Sequence, residues 1–312
     1  MKVLEGVVQD ATAGDPISGL RWMHKTTRNV AEDLQRHGIH LSHVTVGRLL
    51  RTCRYSLRTN RKRLARKREP ERDRQFRLME RQRRQFFGRG FPVISVDTKK
   101  KEQVGNFKNS GACWRKKARD VLDHDFPSDA VGRAIPFGIY DEGRNKGCVV
   151  VGTSHETAQF AIAALRTWWL RQGRRHYPGA TRLLIEADCG GANGNRLWGW
   201  KAGLQKLADE FGLAITVAHY PPGASKWNRI EHRMFNLISA NWQGQPLETY
   251  ETVLNFIRTT TSSTGFRCQA YLNTTTYKTK VKVSKEEKAA VKVSFHKLLP
   301  QWNYTIRPHV KL

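Results

Sequence analysis

The stretch PVISVDTKKKEQ, Pro92 to Gln103, decides the reading of this chain. Val93, Ile94 and Val96 form a short apolar run with the β-branched content of a buried strand. Asp97 stands at its end, and Lys99, Lys100 and Lys101 follow at once. A strand that delivers a carboxylate beside bases suits a divalent cation and phosphate. Hard cations such as Mg²⁺ take oxygen ligands, commonly protein carboxylates together with substrate phosphates. Taken alone, Asp97 is more simply a turn cap. Two further acids in matching settings change that reading.

The second is Asp188. In RLLIEADCGGANGN (182–195), Leu183, Leu184 and Ile185 repeat the apolar run, an acid follows at its carboxyl end, and a glycine-rich turn comes next. The spacing GxxxxGK[ST] is absent, which excludes a nucleotide-binding P-loop. Glu186 precedes Asp188 by two and is expected on the same strand face, which makes it the runner-up ligand. The third acid is Glu231. Pro221 and Pro222 stop a strand, Ser225 caps a helix from Lys226, and Ile230, Met234, Leu237 and Ile238 give that helix an inward face. Glu231 lies beside that face in the first two turns.

Between these landmarks, AIPFGIYD (134–141) and GCVVVGTS (147–154) read as a hairpin, with Asp141 and Glu142 as turn residues. Residues 105–129 read as a long basic loop. Helices are expected near His155–Gln172 and Arg196–Phe211, with a strand at AITVAHY (214–220). The order from Pro92 is therefore strand, strand, strand, helix, strand, helix, strand, helix. That is the order of an RNase H-like α/β fold, a mixed sheet flanked by helices. In it the strands of Asp97 and Asp188 are neighbours, and the last helix supplies Glu231. Three acids so placed suit two Mg²⁺ ions about 4 Å apart, one activating the attacking hydroxyl and one stabilising the leaving 3′ oxygen. Residues 92–245 would form this catalytic domain. Residues 246–312 would be a C-terminal extension packed on it, with a helix at Glu251–Arg258 and strand-like content at 268–284.

The N-terminal part differs in character. Val30, Ala31 and Leu34 share a helix face that ends at Gly38, and Ser42 caps a second helix with Val46, Leu49 and Leu50 inward. Two short helices joined by a tight turn make a helix-turn-helix region, residues 1–58, with His43, Thr45 and Arg48 as groove-facing candidates. A basic helical linker follows over 59–91, densest at Arg61, Lys62, Arg63, Arg66, Lys67 and Arg68. Side chains at that density track phosphates irrespective of base sequence. Lys99, Lys100, Lys101, Lys226 and Arg229 extend the expected DNA-contacting set.

Charge supports a polyanionic partner. Lys and Arg total 55 against 27 Asp and Glu, a formal net charge of +28. No apolar run approaches a membrane span and Met1–Leu20 lacks a signal-peptide core, so no membrane partner and a cytoplasmic, nucleoid-associated protein are expected. The five cysteines are scattered without a CxxC pair, against a zinc ribbon and a disulfide framework.

The segments VISVDTKKKEQVGNFKN, AIPFGIYD, LLIEADCGGANGNR, HYPPGASKWNRIEHRMF and WNYTI resemble insertion-sequence transposases of the Rhodopirellula-type DDE family, distant relatives of mariner-like elements. The similarity runs from Gly14 to Pro308. It implies that Asp97, Asp188 and Glu231 are the DDE triad, with Mg²⁺ (or Mn²⁺) as cofactor. It also implies cutting and joining of DNA at element ends, by a homodimer or higher oligomer on DNA. Family members usually carry more chain before the GDP that stands here at Gly14–Pro16, so the expectation is either an N-terminally truncated copy or a mis-called start codon. The alternative is a catalytically idle copy that occupies element ends and represses transposition. A host nuclease for RNA–DNA hybrids is disfavoured by the basic arm and the helix-turn-helix.

Overall fold

The computed structural model describes residues 3–4, 6–7, 12–14, 21–23, 25–57, 70–224 and 227–309. The chain divides into two units, Met1–Leu64 and Ala65–Leu312.

In the first unit, β1 (Thr12–Gly14) pairs antiparallel with β2 (Arg21–Met23). Helix α1 (Thr27–Arg36) starts where the Thr26 hydroxyl accepts from the Asn29 amide, and Gly38 turns the chain at φ +74°. Helix α2 (His43–Thr52) starts in the same way on Ser42. Val30 and Leu34 of α1 meet Val46 and Leu50 of α2, with Leu4 and Val7 completing the small core. The two-helix plan of the sequence is therefore present.

The second unit is built on a nine-stranded mixed sheet, ordered β10-β11-β8-β7-β3-β5-β6-β9, with β4 paired to β5. Strands β3 (Val93–Thr98), β4 (Glu102–Val104), β5 (Gly132–Asp141) and β6 (Lys146–Gly152) are antiparallel to their neighbours within this group. Strands β7 (Arg182–Ala187) and β8 (Ala214–His219) lie parallel to β3. Their side chains are buried on both faces, which explains apolar runs in place of alternation. This is the RNase H-like order expected from the sequence.

One face is covered by α4 (Ala158–Trp168) and α5 (Trp198–Phe211), around Trp168, Trp200, Phe160 and Leu204. The other is covered by α6 (Asn236–Trp242) and α7 (Tyr250–Arg258). It is also covered by α3 (Arg72–Phe87), whose Met79 and Phe86 pack on Val93, Leu184 and Ala218. The described part of the expected linker thus packs on the sheet. Residues after 245 also do more than pack on the domain. Strand β9 (Arg267–Asn273) extends the sheet beside β6, and β11 (Asn303–Ile306) does so beside β8, followed outward by β10 (Val293–Phe295).

A buried ionic cluster joins α3 to the sheet. Arg83 on α3 donates through Nη2 to both oxygens of Glu186, at 2.7 Å each, and its Nε lies 3.1 Å from Glu142. The Tyr220 hydroxyl donates to Glu186 at 2.8 Å, and Arg229 approaches Glu142 at 3.4 Å. One expectation is corrected here. Glu186 is no ligand candidate: it is fully buried, and both its oxygens are taken up by Arg83 and Tyr220. Glu142 does open the expected turn, yet its side chain is only 2% exposed, and burial, with the Glu186 charge beside it, raises its pKa. Removing one member of such a cluster leaves an uncompensated buried charge. Arg83→Met should therefore cost about 3–5 kcal/mol, whereas Glu142→Gln, which keeps the shape and lowers the charge, should cost far less. Urea unfolding followed by the near-UV signal of the buried tryptophans measures both.

Candidate active site

The register of β3 on β7 fixes the first two acids. Ser95 pairs with Glu186 and Val96 with Ala187, so one further step sets Asp97 beside Asp188 at the carboxyl ends of parallel neighbours. Both carboxylates are half-buried. Asp97 Oδ1 accepts from the Thr98 amide at 2.7 Å. The Asn228 amide nitrogen lies 3.5 Å from Asp97 Oδ2 and 3.2 Å from Asp188 Oδ1.

Asp188 is also held through its main chain. His219 Nδ1 donates to the Asp188 carbonyl at 2.8 Å, and its Nε2 faces the Tyr304 hydroxyl at 3.1 Å. Trp200 Nε1 donates in turn to that hydroxyl at 3.1 Å. Burial lowers the His219 pKa to about 4, so the ring is neutral, and a carbonyl partner requires the proton on Nδ1. A residue of the C-terminal strand thus supports the Asp188 turn from behind.

Glu231 opens a π segment (Glu231–Phe235) that continues into α6. Such segments are rare and occur often at functional sites. Its amide donates to the Asn228 carbonyl at 3.2 Å, which ties the third acid to the residue bridging the other two.

Burial is the main reason that the Asp97 pKa is pushed up to about 8; the Asp188 charge adds to it, and Glu231 and Glu156 contribute further. Asp188 rises to about 6, through burial and then Glu231, against the lowering bond from Asn228. Among the described residues no group of three or more acidic, histidine or cysteine side chains is arranged to hold a metal ion as placed. The donor set nevertheless fits a hard cation. It is all oxygen, and the partners that hold the two adjacent carboxylates are neutral amides, which leave their charge in place. A cleft of about 440 Å³ gives access to Asp97 and Asp188, with Lys100, Arg133 and Glu156 on its walls. Glu231 lines an adjoining groove of about 650 Å³. Gly191, at φ +65°, lets the glycine-rich turn pass Glu156, whose Oε1 would lie 3.0 Å from any Cβ there.

The expected DNA-contacting residues are placed unevenly. His43 and Arg48 are exposed on α2, but the Thr45 hydroxyl lies 3.0 Å from that of Ser42, within the cap. Lys100 is exposed, and Lys101 pairs with Glu156 at 2.8 Å. Lys99 departs from expectation: it is buried, bonded to Glu102 at 3.2 Å and stacked over Trp242 at 4.4 Å. Arg229 is half-exposed and faces Glu142 and Glu80. Arg61, Lys62, Arg63, Arg66, Lys67, Arg68 and Lys226 lie outside the described residues, as does the expected cap Ser225. Asn228, Glu156 and His219 are not singled out by the sequence. Only Asn228 has a signal there, as a polar residue three before the acid at the start of an apolar helix face.

The sequence model of the family described as Rhodopirellula transposase DDE domain matches residues 3–308. The chain belongs to that family. It is a DDE transposase, an enzyme of DNA cleavage and strand transfer. No curated protein matches the sequence. Among solved structures, this transposase is similar to the Mos1 transposase paired-end complex with left transposon end, at 13% identity and TM-score 0.44, covering 82% of this chain and 68% of that one. It is also similar to the Mos1 strand transfer complex, at 13% identity and TM-score 0.43, with the same coverage of 82% and 68%. A third is the Mos1 mariner paired-end complex with Mn, at 13% identity and TM-score 0.42, covering 75% and 65%.

The raised carboxylates of this transposase give a signed pH dependence. The folded state holds these protons more tightly than the unfolded chain does. The resulting stabilisation is present below the ordinary carboxylate range and is lost as pH rises through about 6 and then about 8. In EDTA the melting temperature should fall between pH 5 and pH 8.5. Asp97→Asn should flatten that fall, above all between pH 7 and pH 8.5, leaving the contributions of Asp188 and Glu142. Thermal melts across that range check it, and an unchanged slope in Asp97→Asn would contradict the assignment.

Proposed function

We propose that this transposase cuts and joins DNA at the ends of its own element with Asp97, Asp188 and Glu231 as its divalent-metal carboxylates. Mg²⁺ is the expected ion, with Mn²⁺ able to substitute. The observation that carries the proposal is the adjacency of Asp97 and Asp188 on parallel strands, with Glu231 tied to their shared partner Asn228. Two ions bound there would lower the pKa of an attacking hydroxyl and stabilise the leaving 3′ oxygen, so no protein general base is needed. The attacking oxygen forms a new bond to phosphorus as the bond to the 3′ oxygen breaks.

The chain's own residues supply placement. Asp97 and Asp188 are held from the floor of the cleft by Thr98, Asn228 and His219. Lys100 and Arg133, on the cleft wall, would meet the phosphates that flank the scissile bond. His43 and Arg48 of α2 would read or orient DNA, and the basic residues at 61–68 would bind phosphates without regard to sequence. The repressor reading has no observation in its favour, since all three acids are present on the elements that carry them.

Asp97→Ala, Asp188→Ala and Glu231→Ala should each reduce Mg²⁺-dependent nicking of plasmid DNA to background while leaving DNA affinity within about twofold, because phosphate contacts elsewhere dominate affinity. Full nicking by Glu231→Ala would remove it from the set. Neutralising Arg61, Lys62, Arg63, Arg66, Lys67 and Arg68 together should weaken binding to all DNA alike. The salt dependence should fall by about 0.9 in log–log slope for each phosphate that the arm no longer neutralises.

A further inference from the structure

We infer that Asn228 is a positioning residue, setting the separation of Asp97 and Asp188 and linking it to the placement of Glu231. The inference rests on the reading of these acids as metal ligands. Asn228 is fully buried, so its amide must find partners within the protein. Its nitrogen donates towards Asp97 Oδ2 at 3.5 Å and Asp188 Oδ1 at 3.2 Å, and its oxygen accepts from the Ser95 hydroxyl at 2.5 Å. Carboxylates that hold a cation are ionised and only accept, so the NH₂ end must face them and the oxygen must face Ser95.

Ser95 completes this orientation by donating its hydroxyl proton to the amide oxygen. It is fully buried on β3, two residues before Asp97 and therefore on the same strand face. Ser95, Asn228 and the two aspartates thus form one hydrogen-bonded unit spanning β3, the turn after β7 and the segment before the π turn. The main chain carries the link onward, since the Asn228 carbonyl accepts from the Glu231 amide at 3.2 Å. Without a shared donor, two half-buried carboxylates side by side would repel and move apart. With it, they hold a fixed spacing before any cation arrives. Partners that orient ligands in this way commonly set affinity by about 10–100-fold.

The test is calorimetric titration of the full chain with Mg²⁺, alongside thermal melts in EDTA and nicking measured against Mg²⁺ concentration. The proteins are wild type, Asn228→Ala, Ser95→Ala and, as a control, Asp97→Ala. Asn228→Ala should weaken Mg²⁺ binding about 10–100-fold and raise the half-saturating concentration for nicking in parallel. Ser95→Ala should move both in the same direction by less. If Asn228→Ala does not fold, Ser95→Ala decides alone. If both variants bind Mg²⁺ like wild type, even with a lowered melting temperature, Asn228 is merely structural and the inference fails. If the wild type itself binds no Mg²⁺ beyond the Asp97→Ala control, the metal reading falls and takes this inference with it.

Discussion

The parallel pairing of β3 with β7 is the constraint on which the rest of the catalytic unit depends. Its register brings the ends of two buried strands together, and each end carries an aspartate. A one-residue slip would turn Val96 or Ala187 to the opposite face and part the acids. The register is held from both sides. Leu183, Ile185 and Val96 face the core beneath α4 and α5, and Val93 and Leu184 face α3. Burying these carboxylates costs stability, with the neighbouring acids adding to it, and both carboxylate pKa values are raised accordingly. Such sites persist where the charge has a use.

Two supports keep the strand ends in place, and both come from far along the chain. On one side, Arg83 of α3 neutralises Glu186, two residues before Asp188, while Arg229, two residues before Glu231, faces Glu142. On the other, the Trp200–Tyr304–His219 series ends on the Asp188 carbonyl and recruits β11. The acids therefore sit on rigid elements, and the basic residues nearest them are largely spoken for. Lys99, Lys101 and Arg229 pair with acids, while Arg133 and the exposed Lys100, only 3.9 Å from Glu102, line the cleft.

The sheet strands carrying Asp97 and Asp188 were legible because a strand buried on both faces reads as an apolar run, and an acid at its end interrupts that run. Glu231 was legible only in their company, since a lone acid on a basic helix looks like any surface residue. Strands β4, β10 and β11 were not legible. They are short, and their pairing with β5 and β8 depends on distant partners that no local periodicity records. The three lysines at 99–101 look alike in the sequence, yet only the fold puts Lys99 under Trp242. Buried polar residues such as Asn228, Glu142 and His219 are the hardest case, because composition marks them as surface and only their partners explain their burial.

The most direct test of the account is anomalous diffraction from crystals of this transposase with Mn²⁺ and a DNA duplex. The account predicts two Mn²⁺ peaks about 4 Å apart, contacted by Asp97, Asp188 and Glu231. Mn²⁺ bound elsewhere, or bound at this cleft without Asp97 or Asp188, would contradict it.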